Sequence, residues 1–257
     1  MEQFPVKLSV VIITFNEEQN IGRCIDSLGD IADEVLIVDS FSTDRTASIC
    51  KEKGARFIQH AFEGYIQQKN FALGEAAFDH ILSLDADEAL SEELKENISQ
   101  LKLNWTDPGY SFNRKTNFCG TWVNHGGWYP DTKVRLFVKG SGRWDGVNPH
   151  DEYRFNNNFP LKRLNGDLLH YSYTSITGHI RQIDHFSGIA ASALHERGKK
   201  TNIFILIISP FFRFIRHYLL QLGFLDGLTG FIIAANSAFG VYLKYLRLYH
   251  LQREKKI

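Results

Sequence analysis

Asp85-Ala86-Asp87 closes the apolar run His80–Leu84, so two carboxylates project from the carboxyl end of a predicted buried strand. Hard divalent cations such as Mg²⁺ or Mn²⁺ take oxygen ligands. They use one or two carboxylates and fill their other positions with phosphate and water. The triplet is therefore a candidate seat for a metal–diphosphate complex, although Asp-x-Asp also recurs by chance. Two more strand ends carry polar tips, Thr14-Phe15-Asn16 and Asp39-Ser40.

These tips need a scaffold that brings them to one rim. Leu8–Thr14 is β-branched and continuously apolar, as expected of a parallel strand covered on both faces. A helix begins at Asn16-Glu17-Glu18, with Ile21, Cys24, Ile25 and Leu28 at helical spacing. Glu34–Asp39 is a second strand, and Ser42-Thr43-Asp44 caps a helix running to about Lys53. Arg56–His60, the helix Tyr65–Ala77 and the strand His80–Leu84 complete a βαβαβαβ succession, which implies a parallel sheet. Ligands of such sheets sit beyond the carboxyl ends of the strands, where all three tips fall. Beyond Glu88 the pattern predicts a helix over Ser91–Leu101 and strands over Gly109–Lys115, Lys133–Lys139 and Leu168–Tyr173. Arg143–Asp151 reads as a loop, and long helices follow over Ile176–Arg197, Ile203–Leu222 and Thr229–Leu251.

The loop after the first strand contains no glycine, which argues against a P-loop, a dinucleotide-binding turn or a sugar nucleotidyltransferase. The net charge of zero hides an asymmetry of −7 over residues 1–193 and +7 over residues 194–257. The basic tail interleaves its cations with Phe, Leu, Ile and Tyr, a membrane-surface pattern and not a nucleic-acid one. A basic helical subdomain packed on the body is the plainer alternative. Three scattered cysteines, Cys24, Cys50 and Cys119, lack metal-ligand spacing and suit a reducing compartment. The N-terminal apolar run, Leu8–Ile13, is too short for a secretory signal, and the tail has no uninterrupted apolar run of eighteen. The expectation is a cytoplasmic protein, peripheral on the cytosolic face of the inner membrane.

Several of these segments resemble a known family. Leu8–Asn16, Glu34–Asp39 with Ser42-Thr43-Asp44, Gln68-Lys69-Asn70 and Leu84–Glu88 are similar to the nucleotide-sugar half of family 2 glycosyltransferases. Gly127–Asp131, Arg135-Leu136-Phe137, Trp144–Val147 and His150-Asp151 resemble the branch containing lipopolysaccharide-core β-1,4-glucosyltransferases, as do Gly223–Gly227 and Lys244-Tyr245. The resemblance implies an α/β GT-A fold, a Rossmann-like nucleotide-sugar-binding sheet with helices on both faces, plus a C-terminal helical extension. It divides the chain into a catalytic domain 1–173, with a nucleotide-sugar half 1–90 and an acceptor half 91–173, and an amphipathic region 174–257. It also implies a UDP-sugar donor, a Mg²⁺ or Mn²⁺ ion and inversion at the anomeric carbon.

Carried over by position, Asp39 accepts a hydrogen bond from uracil, or else caps its turn. Phe15, flanked by Thr14 and Asn16, lines the base site or the edge of the core. Glu17 reaches the ribose or favours a helix N-terminus. Lys69 neutralises phosphate, unless it is an ordinary solvated lysine. Asp85 and Ala86 lie beside the donor, with Asp87 the direct metal ligand and Asp85 near the ion. Arg135 and His170 contact diphosphate, or are a surface strand residue and a core histidine.

Single displacement also needs a carboxylate to take the acceptor proton. With Asp39, Asp85 and Asp87 assigned, the choice falls on Asp151, and Glu152 stays open because the Asn148-Pro149 insertion blurs the register. Trp122, Trp128, Tyr129 and Trp144 suit sugar rings or a small β core. In the tail, Arg213, Arg216, His217 and Gln221 share one helical face, and Lys244, Arg247 and His250 recur at spacing three. Helices of this kind lie on anionic membranes, which suits a lipid-linked saccharide acceptor. They could equally pack in a homo-oligomer through the Gly223/Gly227 spacing. Two rival functions remain: a non-catalytic nucleotide-sugar-binding scaffold, and a receiver that accepts phosphate on an Asp.

Overall fold

The computed structural model describes residues 4–147 and 150–254. The first half follows the expected alternation: β1 (Leu8–Thr14), α1 (Ile21–Asp26), β2 (Glu34–Asp39), α2 (Thr46–Glu52), β3 (Arg56–Gln59), α3 (Tyr65–Glu75) and β4 (His80–Asp85). β1 lies between β2 and β4 and is parallel to both, with Val11 opposite Leu36 and Ser83. Leu8, Val10 and Ile12 enter one core cluster with α1, while Val11 enters another with Ala72 and Leu73 of α3. A strand with apolar neighbours on both faces cannot alternate with polar residues, hence the unbroken run.

The second half continues with β5 (Glu88–Leu90), α4 (Glu92–Leu103), β6 (Gly109–Phe118), β7 (Thr121–Trp122), β8 (Asp131–Val138), β9 (Gly142–Val147), β10 (His150–Phe155) and β11 (Lys162–Tyr173). The main sheet has the order β3-β2-β1-β4-β8-β6-β11-β5, and β7 pairs with β6. β8 is antiparallel to β4, and β11 is antiparallel to β5 with His170 opposite Glu88. The expected loop over Arg143–Asp151 is instead part of a separate antiparallel ribbon, β9 with β10. Asn148 and Pro149, the insertion, lie outside the described residues, as does the His150 side chain. The helices expected from Asn16 and Ser42 begin later, at Ile21 and Thr46, because the two preceding loops bond to each other.

Gly166 fixes how β11 passes α4. It has φ +87°, and a Cβ there would lie 2.3 Å from the Leu94 backbone nitrogen. Both the left-handed backbone and the contact oppose any side chain. Gly166→Ala is expected to cost more than about 2 kcal/mol, read as a lower urea midpoint at unchanged slope.

Contacts divide the chain into two compact units. One comprises residues up to Arg114 with Asp131–Tyr171, and the other Lys115–Pro130 with the residues from Ser172 onward. The segment 115–130, expected in the acceptor half, thus packs with the C-terminal helices α5 (Ile176–Glu196), α6 (Ile203–Ile215) and α7 (Gly227–Glu254). This unit has its own core of Phe118, Val123 and Ile233, with Trp128 and Tyr173 against it. Asp226 holds the segment through the His125 backbone N–H at 2.8 Å and the His125 ring at 2.9 Å. By length and composition, Ile203–Leu220 and Gly223–Arg253 are apolar enough to cross a membrane. Neither segment is an uninterrupted apolar run, because scattered cations break both.

Candidate active site

In the first unit the charged side chains converge beyond β4. A two-residue turn, Ala86-Asp87, joins β4 to β5, and Ala86 is buried in it. Asp85 does not face solvent as a free ligand. One carboxylate oxygen lies 3.0 Å from Lys69 Nζ and the other accepts from Arg135 at 2.7 Å. Burial pushes the Asp85 carboxyl up, but Arg135 and then Lys69 outweigh it and hold it well below the usual carboxylate range. Glu88 is fully buried behind it: Oε2 accepts from the Asp85 backbone N–H at 3.0 Å, while Oε1 faces Arg135 at 3.3 Å and Arg114 at 3.5 Å. Burial alone would lower the Arg135 pKa, yet Asp85 and Glu88 raise it.

Lys69 reaches this cluster from α3. Its Nζ also donates to Asp151 Oδ2 at 2.7 Å and lies 4.6 Å from the centre of the Trp144 ring. The pleat of the β9–β10 ribbon decides which acid faces it. Tyr153 pairs with Trp144, and both are buried, so Asp151 shares their side of the strand. Glu152 points the other way: its side chain is 73% exposed and its nearest cation is Arg154 at 3.8 Å. The structure brings Asp151 into the cluster and leaves Glu152 outside it.

Asp87 stands apart from the ion pairs of Asp85. Its Oδ2 is 3.1 Å from His170 Nε2, on the strand that pairs with β5. Among the described residues no group of three or more His, Cys, Asp or Glu is arranged to hold a metal. The donor set that fits is a carboxylate and an imidazole, Asp87 and His170, which suits a cation that takes its other ligands from diphosphate and water. Both oxygens of Asp85 are paired with cations in this arrangement. Arg135 and Lys69 are each buried against carboxylates.

The nucleotide-side loops are stitched together. Asn16, with φ +54°, donates its backbone N–H to Ser42 Oγ at 2.8 Å and accepts from the Thr43 backbone at the same distance. The Glu17 N–H donates to Thr46 Oγ1 at 2.8 Å. Burial raises the Glu17 pKa against a hydrogen bond from Asn20, and Asp87, Asp44 and Asp85 add to the rise. Asp39 is fully buried; it accepts from the Ser42 N–H at 2.8 Å, from the Ser42 hydroxyl and from Gln59. These bonds give it the geometry of a turn cap. Phe15 is exposed at the rim and Thr14 is buried.

Sequence reasoning missed Glu88, Arg114 and Tyr65. Burial and then the fields of Asp85, Asp151 and Asp87 push the Tyr65 phenol up. Among the described residues, four buried polar atoms here have no hydrogen-bond partner within the protein: Thr14 Oγ1, Arg135 Nε, Trp144 Nε1 and His170 Nδ1. Such groups are rare in native interiors.

A sequence profile described as Glycosyl transferase family 2 matches residues 9–155, more than half of the chain. The chain belongs to this glycosyltransferase family. The lipopolysaccharide core biosynthesis glycosyltransferase LpsC of Rhizobium meliloti (strain 1021) is 32% identical, over 94% of this chain and 92% of the relative. An uncharacterized glycosyltransferase of Rickettsia typhi (strain ATCC VR-144 / Wilmington) is 31% identical, over 97% and 89%. Among solved structures, glucosyl-3-phosphoglycerate synthase from Mycobacterium tuberculosis, in complex with Mn²⁺, UDP and glucosyl-3-phosphoglycerate, is 25% identical. That match covers 44% of each chain at a TM-score of 0.35, an overlap too small to argue from.

Proposed function

We propose that this glycosyltransferase moves a hexose, glucose in the first instance, from UDP to a hydroxyl of a membrane-anchored saccharide such as lipopolysaccharide core, with inversion. The observation that carries the reading is that one buried cluster joins Asp151 to the Asp85–Asp87 turn through Lys69. A base for the acceptor and a seat for the donor diphosphate thus share one scaffold. The role of LpsC in lipopolysaccharide core biosynthesis supports the choice of acceptor.

Asp87 and His170 would hold a Mg²⁺ or Mn²⁺ ion, which when bound would neutralise charge on the departing diphosphate. The protein's own groups do the rest. Asp151 takes the acceptor hydroxyl's proton at its carboxylate as attack proceeds. Lys69 fixes that carboxylate beside Trp144. Arg135 and Glu88 hold Asp85 and the backbone of the turn, so that Asp87 emerges in one orientation.

Membrane association belongs to the second unit. α6 exposes Ile203, Phe204, Ile207, Phe211 and Phe212, an apolar surface that suits a lipid interface. A crossing would place Arg213 and Arg216 inside hydrocarbon, at roughly 2.5–3.5 kcal/mol each at the helix centre. An interfacial position avoids that cost.

The test is thermal stabilisation by UDP with and without Mn²⁺, paired with UDP release from UDP-glucose in the presence of acceptor membranes. Ligand at a hundredfold excess over its dissociation constant stabilises by about 2.7 kcal/mol. Asp87→Ala and His170→Ala are each expected to abolish the Mn²⁺-dependent part of the shift. A full Mn²⁺ response in both variants would refute the assignment. Donor binding with no UDP release under any acceptor would favour a non-catalytic binding protein.

A further inference from the structure

We infer that the second unit contains a binding site for the phosphate headgroup of an anionic membrane lipid, in the cavity bordered by α5, α6 and α7. The inference deepens the membrane reading above by replacing a diffuse surface attraction with a defined site.

The cavity has a volume of about 350 Å³, and its lining includes Tyr173, Asn236, Ser237, Arg213 and Lys244. A second hollow of about 210 Å³ shares Arg213 and Lys244 and adds Arg216. Three cations from two helices therefore border adjoining space. Packed cations in a folded protein are ordinarily matched by carboxylates, because unmatched like charges repel at close range. Here they are not. Among the described residues no carboxylate lies within ion-pair distance of Arg213, Arg216 or Lys244. The described acids of the unit that form ion pairs do so elsewhere, Asp184 with Arg247 and Asp226 with His125. The Arg213 guanidinium instead meets His217 Nε2 at 3.1 Å, and Lys244 Nζ lies 4.4 Å from the centre of the Tyr245 ring.

Arg213 and Arg216 are three apart on one helical segment, so both can reach one anion. The guanidinium fork matches phosphate oxygens in pairs, Lys244 adds a point charge, and Asn236 and Ser237 offer neutral hydrogen bonds to the headgroup. The occupant's other half follows from the flanks. Phe212 lines the second hollow and is 65% exposed, and Phe211 beside it is also exposed. A free anion would have no use for that apolar rim. A phosphate on acyl chains would.

The full-length protein should be floated with phosphatidylcholine vesicles with and without 30% phosphatidylglycerol. Wild type is expected to prefer the anionic vesicles, and the preference should shrink with salt. Each cation near the surface contributes roughly fivefold, so R213Q/R216Q/K244Q should weaken binding about a hundredfold. The charge-conserving R213K/R216K/K244R keeps the net charge but loses the guanidinium forks, so it should lose part of the preference, which separates a shaped site from diffuse attraction. As a control, R197Q/K199Q/K200Q removes three exposed cations of the same unit away from the cavity, and its effect should be small. An equal loss in this control would show diffuse attraction and overturn the site. So would stabilisation by inorganic phosphate without any preference among vesicles, the signature of a soluble-anion site. UDP-dependent thermal stabilisation is a separate readout, expected unchanged in R213Q/R216Q/K244Q. Failure of the lipid site is therefore distinguishable from failure of the donor assignment.

Discussion

Asp151→Asn is expected to lower the rate of UDP release to acceptor by roughly 10²–10⁴-fold, the range that a positioned general base contributes. Asn is nearly isosteric with Asp and can still accept from Lys69, whose Nζ lies 2.7 Å from the wild-type carboxylate. The ribbon β9–β10 and the stack of Tyr153 on Phe137 should therefore survive. What disappears is the capacity to hold a proton. The loss should fall on kcat while the donor KM stays close to wild type, since the interaction removed is made only in the transition state. Glu152→Gln is the internal control. Its side chain projects from the opposite face of β10, so its activity should stay within about twofold, as expected for a surface substitution. Two results would defeat the assignment: Asp151→Asn retaining a tenth or more of wild-type kcat, or Glu152→Gln falling with it.

The parts of the fold that are legible in the sequence share one property: their signal is local. β1, β2 and β4 announce themselves because a strand covered on both faces is apolar at nearly every position, as in Val10–Ile13, Val35–Val38 and Ile81–Leu84, the last interrupted only by Ser83. The acid tips follow directly, since they mark where the apolar run ends. The ribbon is not legible in this way. Gly142–Val147 contains one large buried residue, Trp144, and its partner Tyr153 lies nine positions away across a turn. Once that pairing is known, strict two-residue alternation fixes that Asp151 and not Glu152 faces Lys69, which spacing in the chain could not do.

The ion pairs are hidden for a different reason. Lys69 meets Asp151 across 82 positions of chain, and Arg135 meets Asp85 across 50. No residue type predicts such a partner. A lysine on a helix and an arginine on a strand read as surface groups, and they become interior ones only because three carboxylates from β4, β5 and β10 gather there. Glu88 carries a faint clue, an acid opening the apolar pair Ala89-Leu90, which is unusual unless the acid is bonded. His170 with Asp87 depends on the β5–β11 register, and a three-residue strand is too short to be read from pattern.

Arg135→Met should be the most destabilising single change in the first unit, by about 3–5 kcal/mol. The same Arg135 nitrogen lies 2.7 Å from Asp85 and 3.3 Å from Glu88, and the Glu88 side chain has no exposure at all. Removing the cation leaves Asp85 with Lys69 at 3.0 Å and Glu88 with the more distant Arg114 at 3.5 Å, so two crowded carboxylates share less positive charge. Each then stays under-compensated or takes up a proton, and either course costs stability. For a chain of this size, each kcal/mol moves the melting temperature by roughly 2–4 °C, so a fall of about 6–20 °C is expected. Arg154→Met is the matched comparison. Its side chain is 56% exposed and pairs with Asp145 at 3.1 Å, and exposed pairs of that kind contribute less than about 1 kcal/mol. The contrast isolates burial as the cause, because both substitutions delete one guanidinium. Replacing all three buried partners by apolar residues of similar volume can be close to neutral in stability. The expected role of the cluster is therefore positioning rather than stability. It positions Asp85 and, through the Glu88 bond to the Asp85 backbone, the turn that presents Asp87. An Asp85→Leu/Glu88→Leu/Arg135→Met variant that melts near wild type yet has lost its Mn²⁺-dependent response to UDP would show that role directly. One that keeps the response would assign the cluster to folding only.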